Sequence, residues 1–145
     1  TRGEPVLRTM PRAGDINANG HIFGGWVLNQ MDTAGGIIAW REAQGPVATV
    51  AIDAMEFISP ILLNDVISVY GAVERRGRTS LAIRLDVMAQ RRFGSEVTEI
   101  AVTSGLFTFV GATTNNPEAS FDVPGPDAAM PPDAAMPPDA SVDAL

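Results

Sequence analysis

The sequence contains no cysteine, no lysine and a single histidine, His21. Without cysteine, the chain can form neither a disulfide nor a thiolate metal site, and it cannot use a cysteine nucleophile. One histidine is too few for a multi-histidine metal site within one chain, so we expect no metal. No apolar run reaches the roughly 18 residues that a membrane span needs, and TRGEPVLRTM lacks the apolar core of a signal peptide. We therefore expect a cytoplasmic protein with no membrane partner.

The formal charge of −7 is unevenly distributed along the 145 residues. Residues 113–145 hold six of the 17 acidic residues and no basic one, which leaves the rest of the chain nearly neutral. We expect no nucleic acid partner. All ten basic residues are arginines, which reflects either genome composition or the use of arginine as a fork-shaped ligand for phosphate.

The C-terminal part has a composition of its own. PDAAMPPDAAMPPDA, residues 126–140, repeats with a period of six, and its prolines prevent a continuous helix or central strand. We interpret 113–145 as an acidic Pro/Ala-rich tail, either a solvated extension or a docking segment. Residues 1–112 are expected to form one domain, because hydrophobic residues make up 46% of the chain, enough for a core.

The hydrophobic pattern of this domain changes its period once. Val27, Met31, Ala34 and Ile38 recur at helical spacing, which predicts one buried helix from Phe23 to about Ala43, before a Gly-Pro pair. A short strand is predicted in EPVLRTM, and four long strands in PVATVAIDAMEFISPI, DVISVYGAVERRG, TSLAIRLDVMAQRR and EVTEIAVTSGLFTFVGAT. The order predicts an α+β fold in which a curved antiparallel sheet wraps around one long central helix.

The predicted helix carries polar residues and glycines on a second face, which includes Asp32. No basic residue lies three or four positions from Asp32, so it is either a partly exposed carboxylate or a base or nucleophile beside a ligand. Gly24 and Gly25, at the start of the helix, form either a tight cap or a pair of amides that hold an oxyanion. Glycine inside a helix costs about 1 kcal/mol relative to alanine, so Gly35 and Gly36 predict close approach by another backbone.

Several motifs occur together. DINANGHIFGGWVLNQMDTAGG contains a D-x-N-x-x-G-x-x-F-G-G loop and an M-D pair, and an F-x-x-P-I segment and a G-R-[ST]-S turn follow. From about Val6 to Val110 the chain resembles the hotdog-fold acyl-CoA thioesterases, and most closely their YciA-like branch, related to the cytosolic long-chain acyl-CoA hydrolases. The resemblance implies a hotdog fold and hydrolysis of acyl-CoA to free fatty acid and CoA. It implies no cofactor, since coenzyme A is part of the substrate.

The resemblance also implies roles for individual residues. Asp32 matches the catalytic carboxylate, which acts as general base on water or as nucleophile on the thioester carbonyl. Asn17 matches the asparagine that orients water or substrate, and Gly24 and Gly25 match the amides that polarise the thioester oxygen. In this fold two chains join their sheets, so Asn17 of one chain should serve Asp32 of the other. A homodimer, further assembled as a trimer of dimers into a hexamer, is therefore expected.

Five arginines cluster at two predicted turns, Arg75, Arg76 and Arg78 at the first and Arg91 and Arg92 at the second. Each cluster is either a solvated hairpin end or a site for the phosphates of CoA. The resemblance places the G-R-T-S segment near the nucleotide of CoA, so the predicted CoA-binding residues are Arg78, Thr79 and Ser80.

Other interpretations stay open. His21 is either structural or a residue that tunes the pH dependence. A hotdog dehydratase would use an active-site histidine, and His21 lies in the wrong loop for it. A non-catalytic acyl-CoA-binding module would keep the CoA site without needing Asp32. The size of four side chains makes them candidate walls of the acyl pocket: Trp26, Met55, Phe57 and Met88.

Overall fold

The computed structural model describes residues 3–111. Its elements, in chain order, are β1 (Leu7–Thr9), a 3₁₀ turn (Ala13–Asp15), α1 (Gly24–Ala43), β2 (Val47–Phe57), β3 (Val66–Arg76), β4 (Ser80–Phe93) and β5 (Glu96–Gly111). The predicted order of one short strand, one helix and four long strands is confirmed. The predicted tail, residues 113–145, lies outside the described residues.

The five strands form one antiparallel sheet in the order β1-β3-β4-β5-β2. Two hairpins join β3 to β4 and β4 to β5, so these three strands are neighbours both in sequence and in space. The strand that follows the helix, β2, lies on the far side of β5, with Val47 opposite Gly111. Strands β1 and β2 are therefore the two edges of the sheet in one chain.

The helix packs its apolar face on the sheet. Val27, Met31 and Ala34 are fully buried, and Ile38 is partly buried against the same core. Every second residue of β4 faces the helix and is fully buried: Leu81, Ile83, Leu85, Val87 and Ala89. Because burying an aliphatic side chain of valine size or larger contributes about 1.5–3 kcal/mol, this layer supplies much of the folding free energy. The predicted α+β arrangement, with one helix on an antiparallel sheet, is thus confirmed.

The two glycines inside the helix have different surroundings. A Cβ added at Gly35 would lie 2.7 Å from the ring of Phe109 and 3.0 Å from a methyl carbon of Leu85. The predicted approach of another backbone is therefore wrong for Gly35, because the atoms that approach belong to side chains of the sheet. At Gly36 a Cβ would meet nothing within 4 Å, and nothing in residues 3–111 explains the glycine there.

The helix ends at the predicted place. Its last residue is Ala43, and Gln44 follows in the left-handed conformation with a φ of 57°. The N–H of Gln44 donates to the carbonyl of Trp40 at 2.9 Å, which satisfies one of the last carbonyls of the helix. No helix between residues 3 and 111 combines the length and apolar character needed to cross a membrane.

Candidate active site

The loop before the helix is closed by Asn17. The backbone N–H of Asn17 donates to the carbonyl of His21 at 2.6 Å. Its side-chain Oδ1 accepts the N–H groups of Asn19, at 2.9 Å, and His21, at 3.1 Å. These bonds hold a tight turn of the type that asparagine favours. His21 contributes to that turn through its backbone N–H and carbonyl, which any residue could supply, so the role of its side chain stays a prediction.

The same loop is fixed to the rest of the domain just before the helix begins. The N–H of Ile22 donates to the carbonyl of Ile61 at 3.0 Å, and Phe23 donates to Asp15 at 2.8 Å. The side chain of Ile22 is fully buried. The position at which α1 begins is therefore set by contacts on both sides of the loop.

The first turn of α1 leaves two glycine amides, those of the buried Gly24 and the half-buried Gly25, without an acceptor in the described residues. The residue before the helix, Phe23, has an extended ψ of 137° and provides no side-chain cap. Its carbonyl accepts the N–H groups of Trp26 and Val27, whereas those of Gly24 and Gly25 have no acceptor within residues 3–111. Unpaired amides at the positive end of a helix favour negative charge on a nearby atom.

Asp32 lies two turns further along, on the exposed face of the helix. Asn29, Asp32 and Thr33 are all exposed in one chain, and Gly25 and Gly36 are half-buried. The hydroxyl of Thr49, on β2, donates a hydrogen bond to the Asp32 carboxylate. No ion pair within residues 3–111 neutralises Asp32. The sequence prediction that Asp32 lies away from the sheet-facing residues is correct.

Thr49 is a site residue that sequence reasoning missed. It pairs with Phe109 across β2 and β5, and Phe109 faces the helix, so Thr49 points to the same side of the sheet. The sequence does contain a signal, since Thr49 is a polar residue in an otherwise apolar segment, PVATVAI. Its partner Asp32 is 17 residues away, and that contact depends on how the helix lies on the sheet.

The predicted CoA-binding residues lie at the other end of the molecule. In the turn between β3 and β4, the N–H of Gly77 donates to the carbonyl of Ser80 at 2.8 Å. Just before it, Arg76 forms an ion pair with Glu42, which lies in the last turn of α1. Twenty helical residues span about 30 Å. The structure therefore does not bring Arg78 of a chain close to Gly24 of the same chain.

The clustered arginines differ in their partners. Arg78 is exposed and makes no hydrogen bond or ion pair within the described part of the chain. Arg91 is mostly buried and forms a two-point ion pair with Asp65, a hydrogen-bonded contact that raises the pKa of Arg91 above its ordinary value. Arg91 is thus already paired with a buried carboxylate, whereas Arg92 beside it is exposed.

The candidate walls of the acyl pocket separate into two groups. Trp26, Met55 and Phe57 are partly buried and pack against the core. Met88 is buried but lies outside that core cluster, opposite Ser68 of β3. Met88 stands next to the helix-facing Val87 in β4 and points to the other side of the sheet.

Comparison with known proteins assigns the family. Residues 19–92 match the model of the thioesterase superfamily. An uncharacterized acyl-CoA thioester hydrolase of Haemophilus influenzae is 41% identical over 116 residues, which cover 79% of this chain and 75% of that one. The acyl-CoA thioester hydrolase YciA of Salmonella typhimurium is 36% identical over 125 residues, which cover 86% of this chain and 94% of that one.

The fold agrees with this assignment. A hexameric hotdog fold thioesterase of Campylobacter jejuni superposes with a TM-score of 0.74 and 39% sequence identity. The match covers 77% of this chain and 85% of that one, and it confirms the hotdog fold. The chain therefore belongs to the thioesterase superfamily, and within it to the YciA-like acyl-CoA thioester hydrolases.

Proposed function

We propose that this chain hydrolyses acyl-CoA thioesters to free fatty acid and CoA. The observation that carries the proposal is the Asp32 carboxylate, which accepts the Thr49 hydroxyl on the exposed face of a helix that begins with two unpaired glycine amides. A thioester needs a base or nucleophile near its carbonyl carbon and donors near its oxygen, and these groups supply both. The relatives named acyl-CoA thioester hydrolases support the same chemistry.

The reaction that these groups favour has two steps. As general base, Asp32 takes a proton from water while the water oxygen bonds to the thioester carbon, and the carbonyl electrons move onto the oxygen, which faces the amides of Gly24 and Gly25. When this intermediate collapses, the carbon–sulfur bond breaks, and the Asp32 acid returns its proton to the CoA sulfur. As nucleophile, Asp32 itself bonds to the carbon, the carbon–sulfur bond breaks and CoA leaves as the thiolate. Water then cleaves the mixed anhydride, which releases the fatty acid, restores the Asp32 carboxylate and supplies the proton that the CoA sulfur takes up.

Thr49 is proposed as the residue that orients Asp32. A carboxylate on an exposed helix face samples several rotamers, and a donor on the neighbouring strand selects one of them. The hydroxyl bonds to Oδ1 of Asp32, which leaves Oδ2 available to water or substrate. This division of the two oxygens suits either role of Asp32.

We further propose that the site is shared between two chains. The edge strand β2 presents unpaired backbone groups, and a second copy that pairs with this edge would join the two sheets. Arg78 and the glycine amides of one chain lie at opposite ends of a helix of about 30 Å, so both can serve one CoA only if they come from different chains. The assignment of Asn17 to the partner's Asp32 follows the resemblance to the hotdog-fold thioesterases, and hexamer formation follows the hexameric relative.

The CoA-binding roles of Arg78, Thr79 and Ser80 belong to this proposal, as does a cytoplasmic location. A non-catalytic acyl-CoA-binding module is not favoured, since the relatives are named hydrolases. The test is CoA release from acyl-CoA, followed with a thiol reagent, in the wild type and in Asp32→Asn. Release that disappears in Asp32→Asn while acyl-CoA still binds supports the enzyme, and binding without any release in the wild type supports the module.

A further inference from the structure

The F-x-x-P-I segment, Phe57–Ile61, takes no part in the chemistry proposed above. It opens the loop between β2 and β3, and the loop ends at Asp65, a residue that is only 1% exposed. Arg91 of β4 reaches this buried carboxylate with two nitrogens, Nε to Oδ1 at 2.9 Å and Nη2 to Oδ2 at 2.7 Å. A paired fork of this kind fixes direction as well as distance.

The same two side chains hold the backbone on both sides of Ile61. The Arg91 Nη2 also donates to the carbonyl of Pro60 at 3.0 Å, and Oδ2 of Asp65 accepts the N–H of Leu62 at 2.9 Å. The side chain of Ile61 between them is fully buried. With both flanking peptides and its own side chain held, Ile61 has a fixed carbonyl direction.

That carbonyl is the acceptor for the active-site loop. It receives the N–H of Ile22 at 3.0 Å, and Ile22 lies two residues before Gly24. The residue before Ile22 is His21, whose backbone closes the turn at Asn17. A continuous set of hydrogen bonds therefore runs from Arg91 on β4, through the loop at Ile61, to the start of α1.

We propose that the buried Asp65–Arg91 pair is a positioning device for the thioesterase reaction: it fixes the Ile61 carbonyl, which sets where the Gly24 and Gly25 amides lie. This inference rests on the proposed role of those amides. Both residues act through the loop backbone. Stability alone gives little reason for such a pair, because apolar side chains of similar volume often stabilise a buried position equally well. What an apolar pair cannot supply is the directed hydrogen bonds to Pro60 and Leu62.

The test compares the variants Arg91→Ala, Asp65→Asn and Arg91→Lys with the wild type, in turnover and in amide hydrogen exchange. For Arg91→Ala and Asp65→Asn we expect kcat to fall about tenfold to a hundredfold with KM within about twofold, since displaced amides weaken the transition state more than substrate binding. Exchange in the segment 21–25 should quicken, while the middle of β4 and β5 stays protected. Arg91→Lys keeps the charge but loses the fork, and an intermediate loss of kcat is expected.

Two controls separate positioning from stability. Arg92→Ala removes the exposed neighbouring arginine and should change neither kcat nor exchange at 21–25. Val69→Ala removes buried volume in β3 and should lower the melting temperature while kcat of the folded enzyme stays at the wild-type value. All assays are made well below the melting temperature of every variant.

The proposal is overturned if Arg91→Lys keeps both wild-type kcat and wild-type exchange at 21–25, and if the same is true of each of the other two variants that folds. It is also overturned if the fall in kcat of the Arg91 and Asp65 variants is no larger than the fall in Val69→Ala, compared between variants of equal melting temperature. Failure of the proposed function would look different. In that case Asp32→Asn would retain activity, whereas faster exchange at Ile22 in the Arg91 variants would still establish the mechanical link.

Discussion

Thr49, on the edge strand β2, donates its hydroxyl hydrogen to the carboxylate of Asp32, on the exposed face of α1. The two residues are 17 positions apart, and their contact joins the helix to β2, a long strand at the edge of the sheet. A carboxylate held in this way is oriented before substrate arrives, as the proposed reaction requires. The contact therefore connects the packing of the helix with the chemistry proposed at its surface.

Thr49→Val should lower kcat with little change in KM. The substitution keeps the β-branched shape and removes the donor. A hydrogen bond to a charged group contributes about 1.5–3 kcal/mol, so we expect a loss of roughly tenfold to a hundredfold. Thr49→Ser should recover most of the activity, and Thr108→Val, on the opposite face of the sheet, serves as the matched control. Wild-type turnover in Thr49→Val would show that Asp32 needs no orienting partner.

Arg78→Ala should raise KM for acyl-CoA by roughly fivefold or more and leave kcat nearly unchanged, because the nucleotide end of CoA is remote from the reacting carbon. The increase should shrink at high ionic strength, which screens an exposed arginine. Steady-state kinetics at two salt concentrations test this, with the exposed Arg92→Ala as control. A fall in kcat at constant KM would place Arg78 in the chemistry.

Hybrid assemblies test the shared site. If Asn17 of one chain serves Asp32 of the other, a dimer of one Asp32→Asn chain and one Asn17→Ala chain has one intact site and one doubly impaired site. Random mixing should then restore about a quarter of wild-type activity, although each parent variant alone is impaired. The two chains carry different affinity tags, so hybrids can be isolated and assayed. Isolated hybrids without recovered activity would mean that each chain uses its own Asn17.

Gly35→Ala should destabilise the fold. The new methyl group would lie within 2.8 Å of two ring atoms of Phe109, and overpacking of this kind typically costs about 1–3 kcal/mol. The better helix propensity of alanine offsets about 1 kcal/mol of it. Gly36→Ala, where a Cβ has open space, should be at least as stable as the wild type. Urea denaturation measures both, and equal stability of the two variants would contradict the packing described here.

The sequence predicts the elements of this fold well, because local patterns determine them. Helical spacing from Val27 to Ile38 and the Gly-Pro pair after it give the helix and its end, and alternation gives the long strands. Strand order is different, since β2 pairs with β5 at a distance of up to 64 residues, and no local pattern specifies that pairing. For the same reason, the role of Thr49 could not be predicted from the sequence, because it depends on the contact between the helix and the sheet.

The two clusters of arginine show a second limit. Arg91 and Arg92 are adjacent residues of the same type, but neighbouring side chains of a strand point to opposite faces of the sheet. Arg91 consequently reaches the buried Asp65, whereas Arg92 is exposed. The sequence gives no means of knowing which of the two has a buried acidic partner, because that partner belongs to a loop 26 residues away.

The central claim is that the Asp32 carboxylate carries out the hydrolysis, and the turnover of Asp32→Asn tests it most directly. The substitution keeps the size of the side chain and removes its charge, so the fold, the assembly and acyl-CoA binding should persist. We expect kcat to fall by about two to four orders of magnitude, as for a lost general base. Near-normal release of CoA by a correctly folded Asp32→Asn enzyme would contradict the account.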